Sequence, residues 1–194
     1  MEKDRTLKIF EDTKLMQKGH FLLTSGRHSD TYMQCARLFE YPEYAQQISK
    51  DIADAFENDN IDVVIGPAMG GVILSYEVSR QLNVRNVFAE RTDGAMSLRR
   101  GFEILPGQNV LVVEDVVTTG GSVVEVIELV KELGANVAGV GLVVDRSNGK
   151  VDFGCKKHAV FTTEVISYEA KDCPICGTGM PLVKPGSRKT PLKL

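Results

Sequence analysis

No run in this chain approaches the roughly 18 consecutive apolar residues that a membrane helix needs. The longest candidate, residues 137–144, is interrupted by Gly139 and Gly141. A membrane span is therefore not expected. Cysteine is also scarce: Cys35, Cys155, Cys173 and Cys176 are the full complement of 194 residues. That is too few for a disulfide scaffold and suits a reducing compartment. Neither sign of charge is in surplus, since 23 Lys and Arg face 26 Asp and Glu for a net charge of -3. Bulk electrostatics thus give no reason to expect nucleic acid or an anionic membrane as the partner, and any anion site must be local. Residues 1–14 mix Glu2, Asp4, Glu11 and Asp12 with Lys3, Arg5 and Lys8, without the apolar core of a secretory signal. A cytoplasmic address follows as the expectation. No internal repeat or low-complexity tract interrupts the chain.

What is present is an ordinary globular composition, 43% apolar and 25% charged. Its length suits one domain spanning residues 1–194. Short β-branched runs alternate with helical periods. Residues 61–65 predict a strand ending at Gly66-Pro67, and residues 72–82 then carry apolar side chains at helical spacing. Residues 87–89 predict a short strand. Residues 90–100 are charged, poor in apolar side chains, and read as an exposed, mobile loop. Residues 110–113 form an apolar run of the kind buried on both faces of a parallel sheet. Val123, Val126, Ile127, Val130 and Leu133 then mark a helix that stops at Gly134. Residues 138–144 and 159–163 predict further strands, and residues 6–16 and 41–56 predict flanking helices. The expected class is α/β with a mostly parallel twisted sheet flanked by helices. Four of the seven prolines fall in the last 21 residues, beside Lys184, Arg188, Lys189 and Lys193 and no acid. Residues 173–194 therefore read as an irregular, Pro-rich, basic tail.

The most informative stretch lies between the 110–113 strand and the helix after it: Glu114-Asp115-Val116-Val117-Thr118-Thr119-Gly120-Gly121-Ser122. Ligands of open α/β sheets bind beyond the carboxyl ends of the strands. Two adjacent carboxylates leaving an apolar strand suit hydrogen bonds to sugar hydroxyls, or help in holding a hard cation such as Mg²⁺. Three hydroxyls and two glycines at the start of a helix let backbone amides approach an anion, so Thr118 to Ser122 reads as a phosphate cradle. Ser122 with Glu125 also matches a capping box, which would explain Ser122 without any ligand. No lysine follows the glycines, so this is not a Walker A loop.

The nine residues from Glu114 to Ser122 resemble the phosphoribosyl pyrophosphate signature of the type I phosphoribosyltransferases. Phe21-Leu-Leu-Thr-Ser25-Gly26-Arg27-His28-Ser29, Gly66-Pro-Ala-Met-Gly-Gly71, Glu90-Arg91 and Asp145-Arg146 recur in the same order as in the orotate phosphoribosyltransferases. The resemblance covers most of the chain from about residue 15. It implies the type I phosphoribosyltransferase fold with a small hood from the N-terminal segment. It also implies Mg²⁺-dependent transfer of phosphoribosyl from phosphoribosyl pyrophosphate to orotate, giving orotidine 5-phosphate and pyrophosphate for pyrimidine synthesis, in a homodimer without nucleic acid or membrane partners.

Residue by residue, the resemblance gives Glu114 and Asp115 the ribose hydroxyls and the loop from Val116 to Ser122 the 5-phosphate. Gly66 to Gly71 would hold pyrophosphate, unless it is only a strand-to-helix turn. Arg146 would grip the orotate carboxylate, with Thr118 beside the same base; unaided, the sequence equally allows an exposed Arg146 paired with Asp145. Residues 21–34 resemble the segment folded over the base, with Tyr32 or Met33 as flanking surfaces, though such side chains also serve as core. Residues 90–100 resemble the loop that closes over the donor, in the family often from the neighbouring subunit. Arg91 is retained there and, with Glu114 and Asp115, makes up the expected catalytic set. Thr24, Gly70, Thr92 and Ala95 stand where the family commonly has lysine, and Ser97 stands near an expected histidine. Arg99 and Arg100 are the candidate replacement cations. A purine or uracil phosphoribosyltransferase, or a non-catalytic regulator with the same fold, are the competing readings.

Cys173-Pro-Ile-Cys176-Gly177 has the spacing of half a zinc site. Cys155 and His158, or a second copy of the pair across a dimer, would be needed to complete it. Reduced, unligated thiols are the simpler expectation, and no residue is assigned as a metal ligand from the sequence.

Overall fold

The computed structural model describes residues 1–23 and 25–185; Thr24 and the final part of the basic tail, residues 186–194, lie outside the described residues. Helix α1 (Lys3–Asp12) leads into an antiparallel ribbon of β1 (Met16–Leu22) and β2 (His28–Met33). After a 3-10 turn at Cys35–Glu40 come α2 (Pro42–Phe56), β3 (Val63–Pro67), α3 (Gly70–Leu82), β4 (Arg85–Thr92) and β5 (Ala95–Leu98). Then follow β6 (Asn109–Val117), α4 (Gly121–Glu132), β7 (Asn136–Asp145) and β8 (Lys157–Thr162). The six-stranded sheet has the order β5-β4-β3-β6-β7-β8 and is parallel except for the β4–β5 pair. The expected class and most of its elements are present. No helix among the described residues is long and apolar enough to cross a membrane.

Strand β6 shows why the sheet closes on both faces. Leu111 and Val113 pack with Ile48, Ile52, Phe56, Leu74 and Val78 of α2 and α3. Val110 and Val112 turn the other way, onto Val123, Val126, Ile127 and Val130 of α4. From β3 the chain goes outward to β4, then returns to lay β6 on the other side of β3. The carboxyl ends of β3 and β6 therefore lie side by side at a topological switch point, with the following helices on opposite faces. Such a point leaves a crevice between diverging loops.

Three expectations are corrected. Residues 6–16 do not form one helix: α1 ends at Asp12, Lys14 takes a left-handed φ of 54°, and Met16 begins β1. Residues 90–100 are not one irregular loop: residues 90–98 belong to the β4–β5 hairpin, with Ala89 opposite Leu98 and Thr92 opposite Ala95, and Arg99 and Arg100 follow it directly. Asp93 and Gly94, both at positive φ, supply the tight turn, and Met96 and Leu98 pack onto the α4-side core. Cys155 and His158 do not join Cys173 and Cys176; His158 instead bonds Asp51 at 2.9 Å.

Leu111 is fully buried between β6 and the α2–α3 layer. Leu111→Ala should lower unfolding free energy by about 2–5 kcal/mol in urea titration with an unchanged m-value. A loss below about 1 kcal/mol would contradict a closed core on that face.

Candidate active site at the β3–β6 crevice

The sequence places the acid pair just past a strand, but β6 runs on through Glu114 and Asp115 to Val117. The β-branched Val116 and Val117 keep the backbone extended and paired with Val144 and Asp145 of β7. Strand alternation then sends the two carboxylates to opposite faces. Glu114 has the parity of Val110 and Val112 and lines the depression in front of α4. Asp115 has the parity of Leu111 and Val113 and faces the start of α3, where a Cβ built on Gly70, the first residue of that helix, would lie 2.5 Å from its Oδ2. Glycine at 70 is what lets the helix start come so close to a carboxylate.

Neither acid has an ion-pair partner among the described residues. Glu114 Oε1 accepts the Asp115 backbone N–H at 3.0 Å. Burial, then the neighbouring Asp115 charge, pushes the Glu114 carboxyl up to about 9. Burial also raises Asp115. The pair consequently holds a proton near neutral pH, as two desolvated like charges must. Sugar hydroxyls or a divalent cation would relieve that burial cost, and carboxylate oxygens are the hard donors that Mg²⁺ takes.

The depression in front of α4 has a volume of about 260 Å³ and is lined by Glu114, Val116 to Val123 and Glu125. Gly120 is the N-cap of α4 with a left-handed φ of 81°, and no side chain caps the helix. A Cβ there would also lie 2.9 Å from both Val151 and Phe153. Ser122 sits inside the helix, so the capping-box explanation of this serine is overturned. The first-turn amides are left pointing at the depression without internal acceptors, beside the exposed hydroxyls of Thr118, Thr119 and Ser122. That is a ready anion site.

Arg146 follows the last residue of β7, and its backbone N–H bonds the Val117 carbonyl at 2.8 Å, which ties it to the end of β6. Asp145 does not pair with it. That acid accepts from Ser147 N and Oγ at 2.8 and 2.6 Å and from Lys157 Nζ at 3.1 Å. Burial raises the Asp145 carboxyl, but these donors outweigh it and hold it below the usual range. The Arg146 guanidinium is half-buried, its Nε has no hydrogen-bond partner among the described residues, and burial draws its pKa down. Its charge is felt by the Tyr32 phenol and the buried Cys35 thiol, whose pKa values burial raises and Arg146 opposes. Tyr32 is thus the ribbon side chain that borders this space, whereas Met33 is buried in the core.

Arg91 does not line the depression. Its guanidinium is held at the margin by Glu125 at 2.7 Å and by the Gly94 carbonyl at 2.6 Å. Arg100 grips Glu90 through Nε and an NH₂ nitrogen at 2.7 and 2.8 Å, leaving Arg99 exposed just past the same hairpin. The approach of Gly70 to Asp115 was not foreseeable from spacing alone, because it depends on β3 and β6 being neighbours.

Comparison with known proteins agrees with this geometry. The model of the phosphoribosyl transferase domain matches residues 34–170. An orotate phosphoribosyltransferase of Caldanaerobacter subterraneus is 60% identical over 189 residues, 97% of this chain and 100% of that protein. The chain belongs to the orotate phosphoribosyltransferase family. Another family member, from a Thermoanaerobacter species, is likewise 60% identical over 97% of this chain and all of its own length. Among solved structures, the orotate phosphoribosyltransferase of Aeropyrum pernix matches with a TM-score of 0.66 and 25% identity, over 80% of this chain and 92% of that one. The family match thus spans the whole six-stranded sheet, and the β1–β2 ribbon lies before it.

Because its raised carboxyl keeps a proton that the unfolded chain releases, Glu114 stabilises the ligand-free fold fully only below about pH 4.5. That contribution should fade as pH rises toward about 9. Thermal melts of Glu114→Gln and the parent should coincide near pH 5, with the variant melting higher near pH 9. A constant difference across that range would contradict the buried, protonated pair.

Proposed function

We propose that this chain transfers phosphoribosyl from phosphoribosyl pyrophosphate to orotate, giving orotidine 5-phosphate and pyrophosphate. The observation that carries the reading is the pairing, at one sheet edge, of a helix start without a side-chain cap and a half-buried Arg146 whose Nε has no hydrogen-bond partner, both among the described residues. One suits the donor's 5-phosphate and the other the carboxylate of the base. The near-complete match to relatives named for this activity supports it.

In this reading Val116 to Ser122 hold the 5-phosphate through backbone amides and hydroxyls, and Glu114 and Asp115 take the ribose hydroxyls. Displacement of pyrophosphate passes through a cation-like ribose, which nearby carboxylates stabilise without a covalent nucleophile. Mg²⁺, for which Glu114 and Asp115 offer oxygen donors, would neutralise charge on the leaving group. The glycines of residues 66–71 bring backbone close to the leaving pyrophosphate. Arg146 donates a forked pair of hydrogen bonds to the orotate carboxylate, beside Thr118 and under Tyr32. A purine or uracil carries no carboxylate to satisfy Arg146, which favours orotate over those bases.

The closing element is the β4–β5 hairpin. Arg91 reaches a donor by exchanging its Glu125 contact for substrate phosphate, and Arg99, not the Glu90-bound Arg100, supplies the charge missing at Ala95. Residues 1–194 form one catalytic unit, cytoplasmic in keeping with four cysteines that form no disulfide among the described residues. The unit works as a homodimer: Met69, Ile73 and Tyr76 form an exposed apolar stripe on and just before α3, 87%, 51% and 59% exposed, of the sort a second copy covers.

Loss of orotate absorbance with Mg²⁺ and phosphoribosyl pyrophosphate tests the activity directly, with purines and uracil as alternative bases. Orotate should be consumed; consumption of none of these bases would contradict catalysis, and of another base alone would move the specificity. Arg146→Ala should raise KM for orotate about 10- to 100-fold and leave KM for the donor nearly unchanged. Arg99→Ala should lower kcat by about 30- to 1000-fold, and Arg100→Ala far less. Equal effects at 99 and 100 would contradict the assignment of the closing charge. Light scattering should give twice the chain mass.

A further inference from the structure

The C-terminal knuckle finds its second half in the hood ribbon. His20 on β1, His28 at the start of β2, Cys173 and Cys176 present ligand atoms that all lie within 4.8 Å of one another. His20 Nε2 is 3.0 Å from His28 Nδ1, 3.5 Å from Cys173 Sγ and 3.7 Å from Cys176 Sγ, and His28 Nδ1 is 3.3 Å from Cys176 Sγ. A tetrahedral zinc with bonds of about 2.3 Å to sulfur and about 2.0–2.1 Å to nitrogen separates its ligands by about 3.3–3.8 Å. The separations of 3.0–3.7 Å just given are close to that spacing.

The surroundings suit a metal better than a hydrogen-bonded cluster. His20 Nδ1 lies 3.1 Å from the Met180 carbonyl, which can only accept. The proton is therefore on Nδ1, and Nε2 turns a lone pair toward the centre, the arrangement a metal-bound histidine needs. His20, His28 and Cys173 are buried although they are polar. The segment they anchor has almost no core of its own: from residue 162 to 185, Cys173 is the one buried residue. It is laid against the ribbon by backbone bonds between Tyr168 and His28 and between Val183 and both His20 and Leu22. A segment with so little apolar burial needs a staple.

We propose that His20, His28, Cys173 and Cys176 form a structural zinc site that clamps residues 168–183 onto the β1–β2 ribbon. Nitrogen and thiolate donors in tetrahedral array select Zn²⁺ over hard cations such as Mg²⁺. With all four positions filled by protein, the ion has no open site for chemistry. This proposal replaces the sequence expectation of unligated thiols, and with it the two completions weighed there, Cys155 with His158 and a second copy of the pair across a dimer. Because Tyr32 lies on the clamped ribbon, the ion also fixes one wall of the space beside Arg146.

Elemental analysis of the full chain purified under reducing conditions should find about one zinc per chain that survives desalting. Cys173→Ser and His20→Ala should hold less than about a tenth of an equivalent, and Cys155→Ser should keep the full amount. Should those variants fold poorly, cobalt loaded into the parent chain reports independently, through visible bands of tetrahedral Co²⁺ with thiolate charge transfer. Zinc below about a tenth of an equivalent, as purified and after zinc is offered, with both thiols freely titratable, would overturn the site. So would zinc that survives Cys173→Ser but not Cys155→Ser.

Discussion

Everything at the site depends on two carboxylates held in a place that disfavours their charge. Glu114 and Asp115 sit inside a hydrogen-bonded strand, not on a loop, and have no ion-pair partner among the described residues. The strand keeps them there because Val116 and Val117 continue the β7 pairing past them. Alternation along β6 then aims Glu114 at the depression before α4 and Asp115 at the start of α3. One strand thereby serves both walls of the crevice. The cost of burying unpaired acids is stored until hydroxyl donors or a cation arrive, a common way for a binding site to be less stable than its scaffold.

The same economy governs the cations. A net charge of -3 leaves little general attraction for a polyanionic donor. What the fold offers an anion is instead local: amides at the start of α4 without a side-chain cap, and Arg146, whose Nε has no hydrogen-bond partner among the described residues. Arg91 and Arg100 are held by Glu125 and Glu90, so their charge is already neutralised, whereas Arg99 beside them is left exposed. In the proposed reading, closing the hairpin over a phosphate exchanges the anionic partner of Arg91 for another. Such an exchange costs less than bringing a free guanidinium out of water.

Much of the fold was legible in the sequence, for reasons that can be named. Apolar runs at 110–113 and helical stripes at 123–133 report burial on two faces and on one, and both fell where expected. The site motif was legible because its chemistry is contiguous. Charged side chains over residues 90–100 suggest a loop, but the Asp93-Gly94 turn folds residues 90–98 into a hairpin. The acids lie inside the strand and not at its edge because β6 continues past its apolar run to Val117. The closeness of Gly70 to Asp115, and of His20 and His28 to Cys173 and Cys176, spans tens to more than a hundred residues. No local pattern encodes such meetings; strand order and the path of the C-terminal segment create them.

The central claim is that the buried acid pair keeps a proton until substrate takes its place. Calorimetric binding of phosphoribosyl pyrophosphate with Mg²⁺ at pH 8, repeated in buffers of different ionisation enthalpy, counts that proton directly. At this pH the ligand phosphates are already ionised, so release of about one proton per site is expected from the pair, and Glu114→Gln should abolish it. Binding with no net proton release by the parent chain, or release unchanged in Glu114→Gln, would contradict the account.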